Sequence, residues 1–159
     1  MHHIMLAGNI YFLGFNDRRT HLFENIWPIP NGISYNSYLI DDEKIAIIDT
    51  VERQFIEDYL DKIQAFIGER KIDYLIINHM EPDHSGAMKA IRSRYPEIIL
   101  VGNKKTFGLV ENLSIDTGKV LMVNDNDTLS LGKTKLQFQT IPMVHWPETM
   151  ITYDENNKI

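Results

Sequence analysis

Short apolar runs alternate with amphipathic stretches over the first 119 residues. Residues 10–15 read as a first strand. Residues 16–32 are polar, with Pro28, Pro30 and Asn31-Gly32 marking irregular chain. Residues 35–40 and 44–50 read as strands joined at Asp41-Asp42-Glu43. The unbroken run Ala46-Ile47-Ile48 predicts burial on both faces. Over 54–67, Ile56, Leu60, Ile63 and Ile67 recur at helical spacing with Phe55, Tyr59 and Phe66 beside them, and Gly68 supplies a stop. A buried strand over 74–78, a helix over 85–95, a strand over 98–101 and a helix over 104–113 complete a β-α-β-α pattern, which predicts an α/β layer structure.

After residue 119 the rhythm changes. Residues 120–123, 128–131, 136–141 and 150–153 read as strands with no helix between them, so a second, mostly antiparallel sheet is expected. Residues 154–157 read as a hairpin turn, and Lys158-Ile159 as the start of the returning strand. A hairpin stopped there leaves backbone groups unpaired, so the chain is expected to be the first part of something longer.

Composition narrows the classes. The 159 residues suit one domain, and 43% hydrophobic with 24% charged residues is a globular mix. A net charge of −6 gives no electrostatic reason to expect nucleic acid or an anionic membrane as partner. The absence of cysteine excludes a disulfide framework, a cysteine zinc site, an iron–sulfur cluster and a thiol nucleophile. Apolar runs such as Ile45-Ala46-Ile47-Ile48 are far too short to span a bilayer, and the N-terminus does not read as a secretory signal. A cytoplasmic location without membrane contact is therefore expected. His2 and His3 read as part of a mobile terminus.

The chemistry concentrates in Asn78-His79-Met80-Glu81-Pro82-Asp83-His84-Ser85-Gly86, between a buried strand and the start of a helix. His79 and Glu81 are two residues apart, so in extended chain they point the same way. Pro82 favours that extended conformation at Glu81. Asp83 and His84 fall at the helix start, where the helix dipole favours a carboxylate. An ordinary helix cap at Asp83 or Ser85 would explain one acid, not two histidines and two acids together. A general acid/base pair does not need both histidines at this spacing. His145, after the apolar 141–144 and before Trp146-Pro147, reads as a further metal ligand at a strand end. His21 reads as structural or pocket-lining.

These residues make the chain resemble the N-terminal, metallo-β-lactamase-like domain of the flavodiiron proteins, also called A-type flavoproteins. The H-x-E-x-D-H pattern stands as His79, Glu81, Asp83 and His84, and the later histidine as His145 in His145-Trp146-Pro147-Glu148-Thr149-Met150. Ser34-Tyr35-Asn36-Ser37-Tyr38-Leu39-Ile40 and Ile48-Asp49-Thr50-Val51 are similar too. The resemblance implies a mixed α/β (α+β) metallo-β-lactamase-like αββα sandwich, incomplete at its C-terminus. Residues 1–159 would be the N-terminal portion of a di-iron domain, with the flavodoxin-like FMN domain absent. It also implies one iron on His79, Glu81 and His145, and a second on Asp83, with His84 as ligand or near-ligand. The parent would be an oxidoreductase that reduces dioxygen to water and/or nitric oxide to nitrous oxide, fed by a rubredoxin-like donor.

The family's bridging aspartate and a still later histidine find no match in these residues, so incomplete metal binding is expected of the isolated chain. Relatives that hydrolyse substrates carry histidine where Glu81 stands. A hard carboxylate donor suits redox-active iron better than zinc, which has no redox chemistry. Two other readings are a zinc-dependent hydrolase of the same fold and a non-catalytic remnant. In the remnant, the unfinished hairpin would pair with a second copy as a homodimer.

Overall fold

The computed structural model describes residues 4–159, so the expectation for His2 and His3 lies outside the described residues. The first elements are strands β1 (Ile4–Ala7), β2 (Ile10–Phe12), β3 (Phe15–Asp17), β4 (Leu22–Phe23), β5 (Trp27–Pro28), β6 (Ile33–Tyr35), β7 (Tyr38–Asp41) and β8 (Ile45–Ile48). A 3₁₀ turn (Arg53–Phe55) leads into α1 (Ile56–Ile67), followed by β9 (Tyr74–Ile76), α2 (Pro82–Ser85), α3 (Met88–Arg94), β10 (Ile99–Gly102), α4 (Lys104–Asn112) and β11 (Lys119–Met122). The chain closes with β12 (Thr128–Ser130), β13 (Lys135–Thr140) and β14 (Met150–Asp154).

A seven-stranded sheet in the order β1-β2-β7-β8-β9-β10-β11 forms the spine. The hairpin-linked strands β1, β2, β7 and β8 pair antiparallel, whereas β8, β9, β10 and β11 run parallel because helices make the crossovers. Side chains alternate between the two faces of each central strand. Ile47, Leu75 and Leu100 meet Tyr59, Ile63, Met88, Ile91, Phe107 and Val110 of the helices. Ala46, Ile76 and Val101 meet Leu129, Leu136, Phe138 and Met150 of a three-stranded sheet, β12-β13-β14. The layers are thus helix, sheet and sheet. Among the described residues, no helix is long and apolar enough to cross a membrane.

The boundaries differ from the sequence expectation where the chain crosses itself. The strand expected over 10–15 breaks at Leu13-Gly14, where both amides donate to Ser37 O, at 2.8 and 3.2 Å. A Cβ on Gly14 would lie 2.0 Å from Tyr35 O, so this close crossing requires glycine. The strand expected over 35–40 breaks at the same crossing. The helix expected over 85–95 is two helices, α2 and α3, meeting at Gly86, which packs against Val51 O. Residues 120–123 were expected in the second sheet. Their strand, β11, instead joins the first sheet parallel to β10, because α4 returns the chain to that edge. β1 was not anticipated; it is an exposed edge strand.

A carboxylate clips the two sheets together. Asp42, in the β7–β8 turn, accepts Thr134 N at 2.6 Å and Glu43 N at 2.8 Å, and Lys44 N donates to Leu131 O at 2.8 Å. Burial alone would raise the Asp42 pKa, but the hydrogen bonds around it outweigh burial and hold it below its ordinary 3.8. Its stabilising contribution is therefore complete above 3.8 and fades as pH falls through the lower folded value. Asp42→Asn should lower the urea midpoint near neutral pH, and the gap from the parent should narrow as pH falls below 3.8; unfolding curves across that range check this.

Candidate metal centre

The centre assembles where strands end. β9 runs out through Ile77 and Asn78, and Asn78 is tied on both sides: its N–H donates to Asp49 Oδ1 at 2.7 Å and its carbonyl accepts Met150 N at 2.9 Å. Glu81 then takes the extended conformation (φ −57°, ψ 145°) that a following proline demands, and Pro82 opens α2. His79 and Glu81 consequently face one side while Met80, 2% exposed, turns into the core. His145 lies past the end of β13, within the loop before β14, rather than at the strand end. That loop closes on itself through Met143 N to Trp146 O and Ile141 N to Thr149 O, both 2.8 Å, which carries His145 back over His79.

Three donor atoms converge. His79 Nε2 lies 3.0 Å from Glu81 Oε2 and 3.2 Å from His145 Nε2, and His145 Nε2 lies 2.9 Å from Glu81 Oε2. Donors about 2.1 Å from one ion and at right angles to each other are about 3.0 Å apart, so the three fit one cation of that size. Asp83 and His84 stand beside this group rather than within it. His84 Nε2 is 3.6 Å from Asp83 Oδ2, and the His79 and His84 rings are 5.1 Å apart. His21 is exposed.

Two further carboxylates, which the sequence reading gave no role, back the histidines. Glu148 Oε1 accepts His79 Nδ1 at 2.8 Å, and Asp49 Oδ2 accepts His84 Nδ1 at 2.9 Å. An ionised carboxylate only accepts, so each Nδ1 carries a proton. Asp49 occupies the left-handed region (φ 52°), and the hydroxyls of Ser37 and Tyr59 hold its carbonyl at 2.9 and 3.2 Å. One signal could have found both residues: each is an acid set among apolar side chains, after the run Ile45–Ile48 for Asp49 and after Trp146-Pro147 for Glu148.

Asp49, Glu81, Asp83 and Glu148 thus share one region, and among the described residues none has a lysine or arginine partner; their ion-pair partners are His79, His84 and His145. Burial, reinforced by the charge of Glu81, raises the Asp83 pKa above its ordinary value. Burial alone would lower that of His84, but Asp49, Asp83 and Glu81 raise it. Asp83 Oδ1 and Glu148 Oε2 are buried without a hydrogen-bond partner. Mixed imidazole and carboxylate donors, surplus negative charge and unsatisfied oxygens are what a multivalent cation would compensate.

The same residues can be set against known proteins. Residues 33–159 match the family described as ODP family beta lactamase. The chain belongs to that family. It is 37% identical over 158 residues to flavo-diiron protein FprA2 of Clostridium acetobutylicum, covering 98% of this chain and 40% of that protein. It is 34% identical over 152 residues to a nitric oxide reductase of Moorella thermoacetica, covering 94% of this chain and 38% of that one. The solved structure of rubredoxin oxygen:oxidoreductase from the anaerobe Desulfovibrio gigas superposes with a TM-score of 0.90 at 29% identity, covering 98% of this chain and 39% of that one. The chain therefore spans two fifths or less of the length of these relatives. Its place in the ODP family accords with the helix–sheet–sheet layering.

Because the His145 side chain is 66% exposed, His145→Ala should change stability by no more than about 0.5 kcal/mol while weakening cobalt(II) binding at least about tenfold. Thermal unfolding and a chelator competition on the same sample measure the two effects.

Proposed function

We propose that this chain is the metal-binding portion of a flavodiiron oxidoreductase that reduces dioxygen to water and/or nitric oxide to nitrous oxide. The observation that carries the proposal is the convergence of His79 Nε2, Glu81 Oε2 and His145 Nε2 on one point. In this reading those three hold one iron, and Asp83 and His84 serve a second. Residues 1–159 form the N-terminal portion of the di-iron domain, and FMN binds in a part of the longer protein outside them. The names of the Moorella and Desulfovibrio relatives support the substrates and a rubredoxin-like electron donor. A cytoplasmic setting and a homodimer are part of the same proposal.

Iron held here would supply one-electron chemistry and a coordination position for a small ligand. The chain's own residues make that position. Hydrogen bonds to Glu148 and Asp49 occupy the Nδ1 atoms of His79 and His84, so each Nε2 is the nitrogen that would face a metal. Trp146 packs its ring edge-on against His79, with centroids 5.2 Å apart, and limits rotation of the imidazole. His145 and His84 leave the centre accessible from one side. The hydrolase reading is weaker: two histidines and one carboxylate can serve zinc hydrolases as well as non-haem iron, but the Moorella and Desulfovibrio relatives carry oxidoreductase names.

In the full-length protein, Glu81→Ala should reduce dioxygen or nitric oxide consumption at least about 100-fold with the flavin content unchanged. An unchanged rate would remove Glu81, and with it this centre, from the reaction.

A further inference from the structure

We propose that Glu148 is a positioning residue that makes His79 a metal ligand. Its buried carboxylate locks the ring in the Nδ1–H form and aims the Nε2 lone pair at Glu81 and His145. The inference deepens the function proposed above and rests on it for the role of the metal.

Glu148 is 1% exposed, and among the described residues its one ion-pair partner is the His79 ring. Its Oε1 accepts two bonds, from His79 Nδ1 at 2.8 Å and Met80 N at 2.9 Å, while its Oε2 has no hydrogen-bond partner. A carboxylate present only to satisfy the Met80 amide would be an expensive choice, since a neutral side chain could accept that bond without a buried charge. The charge has a use if it increases the electron density of the imidazole it touches.

The residue is also held from behind. Its carbonyl accepts Asn103 Nδ2, and Asn103 caps α4 through Lys105 N at 2.9 Å and Thr106 N at 3.1 Å. The α4 N-terminus, the 141–149 loop and the 79–84 loop therefore meet at one residue, through its backbone carbonyl and its carboxylate. Thr149 Oγ1, 3.5 Å from His79 Nδ1, is the neighbour placed to replace Glu148. A hydroxyl can donate as well as accept, so it would not specify the tautomer. Asp49 repeats the construction at His84, with Oδ1 on Asn78 N and Oδ2 on the ring.

The test uses the whole chain with Glu148→Gln and Glu148→Ala, in two arms. In the first, ¹⁵N–¹H spectra of the metal-free protein, above the imidazole titration range, report which ring nitrogen of His79 is protonated. The parent should show Nδ1–H alone, Glu148→Gln should keep it through the amide oxygen, and Glu148→Ala should give a mixture. In the second, chelator competition measures cobalt(II) affinity, expected to fall about 10–100-fold in Glu148→Gln, where the bond survives without its charge, and further in Glu148→Ala. A parent that shows Nδ1–H but binds no cobalt(II) would refute the metal function and leave the positioning role standing. A parent that binds cobalt(II), with Glu148→Gln within twofold of its affinity, would overturn the inference. If Glu148→Ala does not fold, the isosteric Glu148→Gln decides the second arm, and the parent's Nδ1–H signal, absent or present, decides the first.

Discussion

The structure turns on an imbalance of buried charge. Four carboxylates, Asp49, Glu81, Asp83 and Glu148, crowd around three imidazoles, and among the described residues no lysine or arginine forms an ion pair with them. Solvent can screen surface acids, but Glu148 and Asp49 are 1% and 6% exposed. Neutral imidazoles relieve such acids only through hydrogen bonds. The cluster resolves part of the strain internally, by raising the pKa values of Asp83 and His84, and leaves two oxygens unsatisfied. A fold that tolerates this arrangement carries a penalty that hydrophobic packing elsewhere must offset. The layers of the sandwich provide that packing.

Topology explains why the acids meet at all. The parallel strands β8 and β9 finish side by side, so Asp49 and His79 emerge at the same end of the sheet. In open α/β sheets that end collects ligands, because helix starts and strand ends face a common crevice. The second sheet then delivers His145 and Glu148 from above through the β13–β14 loop. Each half of the centre is thus carried by a different sheet, and its geometry depends on how well the sheets stay in register. The Asp42 clip and the apolar layer around Phe138 and Met150 hold that register, the clip at the β7–β8 turn and Met150 right beside Asn78.

Much of this was legible in the sequence, for identifiable reasons. The central strands announce themselves as unbroken apolar runs, and α1 by its periodicity. The grouping of His79 with Glu81 follows from period-two alternation ahead of a proline, and that is the conformation found. Local signals failed where two distant segments touch. Nothing near Gly14 says that Ser37 O will accept two of its neighbouring amides, so one strand was read where there are two. Nothing near Val120 says that α4 will return the chain to the first sheet. Glu148 was hidden for the same reason. Its partners are about 70 residues away, so the apolar setting after Trp146-Pro147 hints at burial but cannot name His79.

Metal affinity and sheet packing are therefore one problem. A cation shared by His79, Glu81 and His145 would bridge the two sheets, so its binding energy would add to the stability of their contact. The converse also holds: loosening the second sheet would withdraw His145 and Glu148 together, removing a ligand and the carboxylate that orients another. Glu148 couples the two effects most directly, because its side chain reaches the first sheet's loop while its backbone is anchored to α4. Placing Glu148 beside the exposed His145, on the same loop, means that both reach the centre together when that loop packs against the first sheet. A half-docked loop would offer neither a third donor nor a defined tautomer at His79, which disfavours adventitious binding by the two donors that remain.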